Sequence, residues 1–420
     1  LISTVFENGV PDNEGGHIGI GHVRYSTTGS NNPRNIQPLA VYTSMGEIAL
    51  AHNGNLTNTR ELRDMLENAG QTFQTTMDSG CPVRRWWGIV NLISRSRKPT
   101  VEERIIDSVK EIDGAYSLVL MTKEKMYGAR DPHGFRPLCI GRTATGGYVL
   151  ASETCALDAL GAAFVRDVKP GEFIEIGENG LKSVLFTNAA RKQVCSFEYI
   201  YFARPDSSID GQDVYQARLN MGREMWNETR YEADLVISVP DSGTTAAIGY
   251  AMASGIPFNH GLIKNRYMGR TFIKPNQKQR ELAVRMKLNV VRSVVGGKRI
   301  VMVDDSIVRG TTSGIICKLL REAGAKEVYM CVSAPPVKYS CFYGIDTSVR
   351  KELIAADLNV EEIRKYIGVD KLHFISFDGL ARAMPAVPKE DMCLACFNND
   401  YPTAVPANEE GEKYALEGNC

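Results

Sequence analysis

An apolar run that ends abruptly in two acids constrains this chain most. Arg299-Ile300-Val301-Met302-Val303 reads as a buried strand, followed at once by Asp304-Asp305-Ser306-Ile307-Val308-Arg309-Gly310-Thr311-Thr312. A segment with Ile315, Ile316, Leu319 and Leu320 on one helical face comes next, with Gly324 at its C-terminal cap, and then a strand from Glu327 to Val332. The same grammar occurs upstream. Leu235 to Val239 is a short strand, Pro240-Asp241-Ser242-Gly243-Thr244-Thr245 a loop, and Ala246 to Ala253 an Ala-rich helix stopped by Gly255. Such units in series specify a parallel α/β sheet, which binds ligands at the carboxyl ends of its strands. A lone acid pair there reads as an acidic turn capping a helix. Followed by small and hydroxyl residues that open a helix, it suits a sugar 5-phosphate. Backbone N–H groups and the helix dipole cradle the phosphate, and the acids take ribose hydroxyls or a divalent cation.

The first 190 residues read differently. Short β-like runs (Ile18 to Tyr25, Glu47 to Ala51, Ser117 to Met121, Tyr148 to Ala151, Phe173 to Ile176) alternate with Gly- and Asn-rich turns, with helices near Thr59 to Ala69 and Val101 to Ile112. At 420 residues two domains are expected, divided near residue 190 in the polar stretch Asn188 to Gln193. Lys+Arg and Asp+Glu both total 49, a balance that argues against binding nucleic acid through its phosphates. No apolar run is long enough to span a bilayer and no signal segment opens the sequence, so the ten cysteines are expected as thiols rather than disulfides. By spacing alone, Cys393-Leu394-Ala395-Cys396 admits zinc, an iron–sulfur cluster or no metal.

The string Val303 to Thr312 resembles the 5-phosphoribosyl 1-pyrophosphate (PRPP) motif of type I phosphoribosyltransferases, and within them the glutamine PRPP amidotransferases. That resemblance implies that Ser306, Arg309, Gly310, Thr311 and Thr312 meet PRPP, with magnesium at Ser242, Asp304 and Asp305. Lys264-Asn265-Arg266-Tyr267-Met268-Gly269-Arg270-Thr271-Phe272, by itself a solvated basic loop, resembles the family's mobile hood, with Lys264, Arg266 and Arg270 as its cations. His22-Val23-Arg24-Tyr25-Ser26-Thr27 and Ala51-His52-Asn53-Gly54-Asn55-Leu56 resemble motifs of N-terminal-nucleophile (Ntn) glutamine amidotransferases. There Arg24, Thr27 and Asp78 would hold glutamine, and Asn53 with the Gly54 N–H would form the oxyanion hole. After Asp78 the family pattern gives way to Ser79-Gly80-Cys81-Pro82-Val83-Arg84-Arg85-Trp86-Trp87, with Pro82 inside an expected helix.

The resemblance implies the fold class: an α+β Ntn glutaminase domain, N-terminally incomplete, at 1–190, followed by an α/β type I phosphoribosyltransferase domain at 191–420. The sequence opens on Leu1 without the family's nucleophilic cysteine, so it is read as a fragment or processed product whose glutaminase half is inactive as given. An ammonia-dependent transferase and an inactive nucleotide-binding paralogue remain alternatives. The glucosamine-6-phosphate and asparagine synthases, which share the glutaminase, do not carry the motif at Asp304 to Thr312. One branch of the family binds a 4Fe–4S cluster, whose ligands fall here on Cys195, Cys341, Cys393 and Cys396. The other cysteines are assigned to packing or surface. The resemblance further implies a cytoplasmic homotetramer or homodimer, inhibited by purine nucleotides, with an ammonia channel between its two sites.

Overall fold

In a computed structural model of the chain, the described residues are 16–23, 36–70, 83–187, 191–265, 267, 285–345, 347 and 350–405, with 83–87 described by backbone alone. Strands β1 (Leu39–Thr43) and β2 (Gly46–Leu56) turn at Gly46, whose φ of 98° suits a residue without Cβ. With β3 (Gly114–Met121), β4 (Met126–Arg130), β8 (Glu172–Gly177) and β9 (Gly180–Leu185) they form an antiparallel sheet of order β1-β2-β3-β4-β8-β9. Between β4 and β8 the chain forms a second sheet from β5 (Cys139–Arg142), β6 (Tyr148–Ala151) and β7 (Ala163–Asp167), ordered β6-β5-β7.

Helices α1 (Thr59–Asn68), α2 (Val83–Arg95) and α3 (Val101–Val109) bury Leu62, Leu66, Ile89, Ile93 and Ile105 with Ile48, Leu50, Leu118 and Leu120 of the large sheet. A reciprocal capping box of Thr100 and Glu103 starts α3. The helix ends at Val109, short of the expected Ile112. Helix α2 is described from Val83, and Pro82, expected inside a helix, lies outside the described residues. β2 runs five residues beyond the expected Ala51, because Ala51 to Leu56 stay paired with β3 despite their polar, turn-like composition.

From β10 (Val194–Cys195) the chain passes a small hairpin, β11 (Ser208–Ile209) and β12 (Gln212–Asp213), into α4 (Val214–Thr229). The parallel sheet has the order β13-β16-β17-β18, with β13 (Leu235–Ser238), β16 (Arg299–Asp304), β17 (Glu327–Val332) and β18 (Lys371–Phe374). Helices α5 (Thr244–Ser254) and α6 (Thr311–Glu322) follow β13 and β16, and Gly255 and Gly324 stand in left-handed conformation beyond their ends. Helices α4 and α5 touch backbone to backbone, since a Cβ on Gly222 would lie 1.9 Å from the Ala246 carbonyl oxygen and one on Gly249 2.0 Å from that of Leu219. The hairpin of β14 (Leu262–Lys264) and β15 (Leu288–Val290) carries Lys264, the first residue of the basic loop. Near the C-terminus β19 (Met392–Cys393) pairs in parallel with β10.

The two largest buried clusters run from Val41 to Phe186 and from Val194 to Phe397. The expected division near residue 190 falls at 188–190, outside the described residues. Among the described residues no helix is long and apolar enough to cross a membrane.

Candidate functional site

The acid pair sits where the β16 strand ends. Asp304 and Asp305 are 7% and 8% exposed. The Ser306 hydroxyl donates to Asp305 Oδ1 at 2.5 Å, the Ser242 hydroxyl donates to Asp305 Oδ2, and the Asp305 N–H donates to Asp304 Oδ1 at 2.9 Å. Ser242 is brought there by the loop after β13, held by the Val239 N–H donating to the Val303 carbonyl at 2.9 Å. Gly243 permits this approach, since its Cβ would stand 2.5 Å from the same carbonyl oxygen. Burial, and then the neighbouring Asp305 charge, push the Asp304 carboxyl well above its usual range. Burial raises Asp305 too, partly offset by the two hydroxyls and by the charge of Arg218. Two buried acids so placed gain most from a divalent cation, which restores the charged forms that burial disfavours.

The loop from Ser306 to Gly310 then opens α6. Gly310 has φ 71°, and a Cβ there would meet Ile354 Cδ1 at 2.6 Å, so the turn requires glycine. Thr311 and Thr312 occupy the first turn of α6, where N–H groups lack helical partners, an arrangement able to take an anion. Arg309 lies on the rim, with its Nε donating to Glu352 Oε2 at 3.0 Å. Lys264 ends β14 and its Nζ reaches Asp241 Oδ2 at 2.5 Å, which places it over the Ser242 loop. Arg266 and Arg270 lie outside the described residues, as do Arg24, Thr27 and Asp78.

Asn53 and Gly54 lie inside β2, paired with Ser117 and Tyr116 of β3, and not in the Asn-Gly-Asn turn that composition favours. Gly54 has φ 136°, and its Cβ would stand 2.1 Å from the Ala115 carbonyl oxygen. The next residue, Asn55, donates from Nδ2 to the Phe342 carbonyl at 2.8 Å, tying this end of β2 to the segment that carries Cys341.

The four cysteines come from three separate segments that the backbone joins. Cys195 is the register partner of Cys393, Ser196 Oγ donates to the Cys393 carbonyl at 2.9 Å, and the Lys338 and Tyr339 N–H groups both donate to the Cys396 carbonyl at 3.0 Å. Cys341 packs with Cys393, Phe135 and Tyr343. Burial, and then neighbouring thiols, push Cys393 and Cys396 well above the usual thiol range. Cys195 is pushed up to about 12 by burial, against the pull of Arg136. Among the described residues no group of three or more His, Cys, Asp or Glu side chains closes on one point at metal-ligand distances. The thiols share one neighbourhood, with Cys195 in register with Cys393 and Cys341 packed against it. Of the other cysteines, Cys139, Cys317 and Cys331 are buried, Cys155 is half-buried, and Cys81 and Cys420 lie outside the described residues.

Two buried ion pairs across this junction are not legible in the sequence. Arg130, fully buried, donates to Asp210 Oδ1 and Oδ2 at 2.8 and 2.9 Å and to the carbonyls of Arg136, Val168 and Gly134. These contacts employ all five guanidinium donors. Arg136 pairs with Glu198 at 2.6 Å. The Gly- and Pro-rich stretch Asp131-Pro132-His133-Gly134-Phe135-Arg136-Pro137 is local and gives no hint of distant partners.

A family model described as a glutamine amidotransferase domain matches residues 22–159. Over 409 residues the chain is 50% identical to an amidophosphoribosyltransferase of Bacillus subtilis, covering 96% of this chain and 84% of that protein. It is 48% identical over 415 residues to an amidophosphoribosyltransferase of Archaeoglobus fulgidus, covering 97% and 88%. Among solved structures, the glutamine PRPP amidotransferase from B. subtilis complexed with ADP and GMP superposes with a TM-score of 0.84 at 50% identity, covering 92% of this chain and 83% of that one. A second, described as the allosteric regulatory enzyme of purine biosynthesis, gives a TM-score of 0.85 at 48% identity, covering 94% and 83%.

Proposed function

The chain belongs to the amidophosphoribosyltransferase family, and we propose that it transfers ammonia derived from glutamine to PRPP, giving 5-phosphoribosylamine, pyrophosphate and glutamate. The observation that carries this reading is the buried Asp304–Asp305 pair at the end of β16, bonded to Ser242 and leading into the Gly310 turn of α6. In this reading residues 1–190 form the glutamine amidotransferase domain and 191–420 the phosphoribosyltransferase domain.

Displacing pyrophosphate from the anomeric carbon builds positive charge on the ribose and negative charge on the leaving group. The first turn of α6, with Ser306, Gly310, Thr311 and Thr312, takes the 5-phosphate, and Arg309 flanks it. Asp304, Asp305 and Ser242 would hold magnesium, which neutralises the pyrophosphate. Lys264, with Arg266 and Arg270, contributes cations and excludes water once the loop closes. On the glutaminase side, Arg24, Thr27 and Asp78 hold the substrate, while Asn53 and the Gly54 N–H receive the oxyanion. Cys195, Cys341, Cys393 and Cys396 would hold a 4Fe–4S cluster: the donor set is all thiol, three of the four are buried and Cys341 is half-buried, and backbone hydrogen bonds and strand pairing already join their segments. Purine nucleotides, with their phosphates and ribose, are the inhibitors this reading assigns. The assembly is a homodimer or homotetramer in the cytoplasm.

PRPP at about 100 times its dissociation constant is expected to stabilise the protein by about 2.7 kcal/mol, but only with magnesium present. Thermal unfolding with PRPP, with magnesium and with both tests this. An equal shift from PRPP with and without the metal would remove magnesium from the acid pair.

A further inference from the structure

The Arg136 guanidinium is 4% exposed, yet its Nε finds no hydrogen-bond partner among the described residues. Its Nη1 donates to Glu198 at 2.6 Å, and Phe202 stacks beneath it with its ring centroid 5.4 Å away. A Cβ on Gly344 would press to 2.7 Å from Nη2, so only glycine leaves room for the guanidinium beside the Cys341 segment. The positive charge acts on the thiols of Cys195, Cys341 and Cys393. A buried charged donor without an acceptor is costly, and native interiors rarely leave one. The two segments that hold it both carry thiols: Glu198 lies just after Cys195, and Gly344 just after Cys341.

We propose that Arg136 is a positioning residue for the iron–sulfur cluster, donating its Nε–H to a sulfur of the group held by Cys195, Cys341, Cys393 and Cys396. The inference rests on the iron–sulfur reading above. It assigns Arg136 to tuning the cluster and Glu198 to orienting Arg136. A donor to sulfur offsets the negative charge of the cluster and raises its reduction potential, and losing it makes the cluster easier to oxidise. Arg136→Lys retains a charge able to pair with Glu198 but removes the Nε–H.

The wild-type protein and the Lys variant are purified without oxygen and assayed for iron and acid-labile sulfide. The reduction potential and the rate of bleaching in air are then measured. The variant is expected to retain iron, to titrate at a lower potential and to bleach about tenfold faster. Equal potentials and bleaching rates in two iron-loaded proteins would overturn the role of Arg136. Absence of iron and sulfide from the wild type would instead overturn the iron–sulfur reading, and the proposal with it. A second readout requires no variant. In wild-type protein labelled with nitrogen-15 arginine, the reduced cluster should carry a hyperfine coupling to that nitrogen, and its absence also counts against the proposal.

Discussion

Asp305→Asn is expected to lower PRPP-dependent pyrophosphate release on the order of 10²–10³-fold, the scale of losing one preorganised electrostatic contact at a reacting centre. The carboxylate accepts from both Ser242 and Ser306, so an amide there disturbs both loops of the site while filling nearly the same space. Burial raises this carboxyl above its usual range, which makes the fold around it more tolerant of a neutral replacement. The folded protein should therefore survive, with its unfolding midpoint close to wild type, while activity falls. Steady-state rates over a magnesium series, alongside thermal unfolding, test this. Near wild-type turnover in a variant that folds normally would move the metal and ribose away from Asp305.

The second large effect concerns stability. Asp210→Ala is expected to destabilise the protein by about 3–5 kcal/mol, because it leaves the fully buried Arg130 charge without its partner. Arg130→Met combined with Asp210→Leu should restore much of that loss, since apolar replacement of both partners removes the uncompensated charge. The pair also fixes a pH dependence. Burial alone would raise the Asp210 carboxyl, but the charge and hydrogen bonds of Arg130 hold it below its usual range in the folded state. A depressed folded value means the contribution is complete above the unfolded pKa of about 3.9 and is lost as pH falls through the lower folded value. Denaturant unfolding of the single and double variants at neutral and acid pH measures both effects. A cost under about 1 kcal/mol for Asp210→Ala would show that the pair does not join these segments as the geometry implies.

The transferase sheet was largely legible because its signals are local. An apolar run ending in Asp304 defines β16, Glu327 to Val332 is β17, and Gly255 and Gly324 mark the helix ends where left-handed backbone demands glycine. The helix after β16 was less well read on its outer side. Leu319 is only half-buried, while Cys317, which no apolar spacing singles out, is in the core. Asn53-Gly54-Asn55 misleads for a different reason. Local propensity favours a turn, but pairing with β3 holds the three residues extended, and the near-contact of Gly54 with Ala115 is visible only in three dimensions. Arg130 and Asp210 are 80 residues apart, and no spacing rule reaches that far. The cysteines lie between these cases: their types suggest a metal, while bringing Cys195 beside Cys393 takes the parallel pairing of β10 with β19.

The central claim, that the acid pair and the α6 turn form a PRPP site that accepts ammonia, is tested most directly by phosphoribosylamine formation from PRPP and magnesium with ammonium at raised pH. The account predicts product and stoichiometric pyrophosphate, abolished by omitting magnesium and strongly reduced in Asp305→Asn. Folded protein that binds PRPP yet forms no product with ammonium or with glutamine would contradict it.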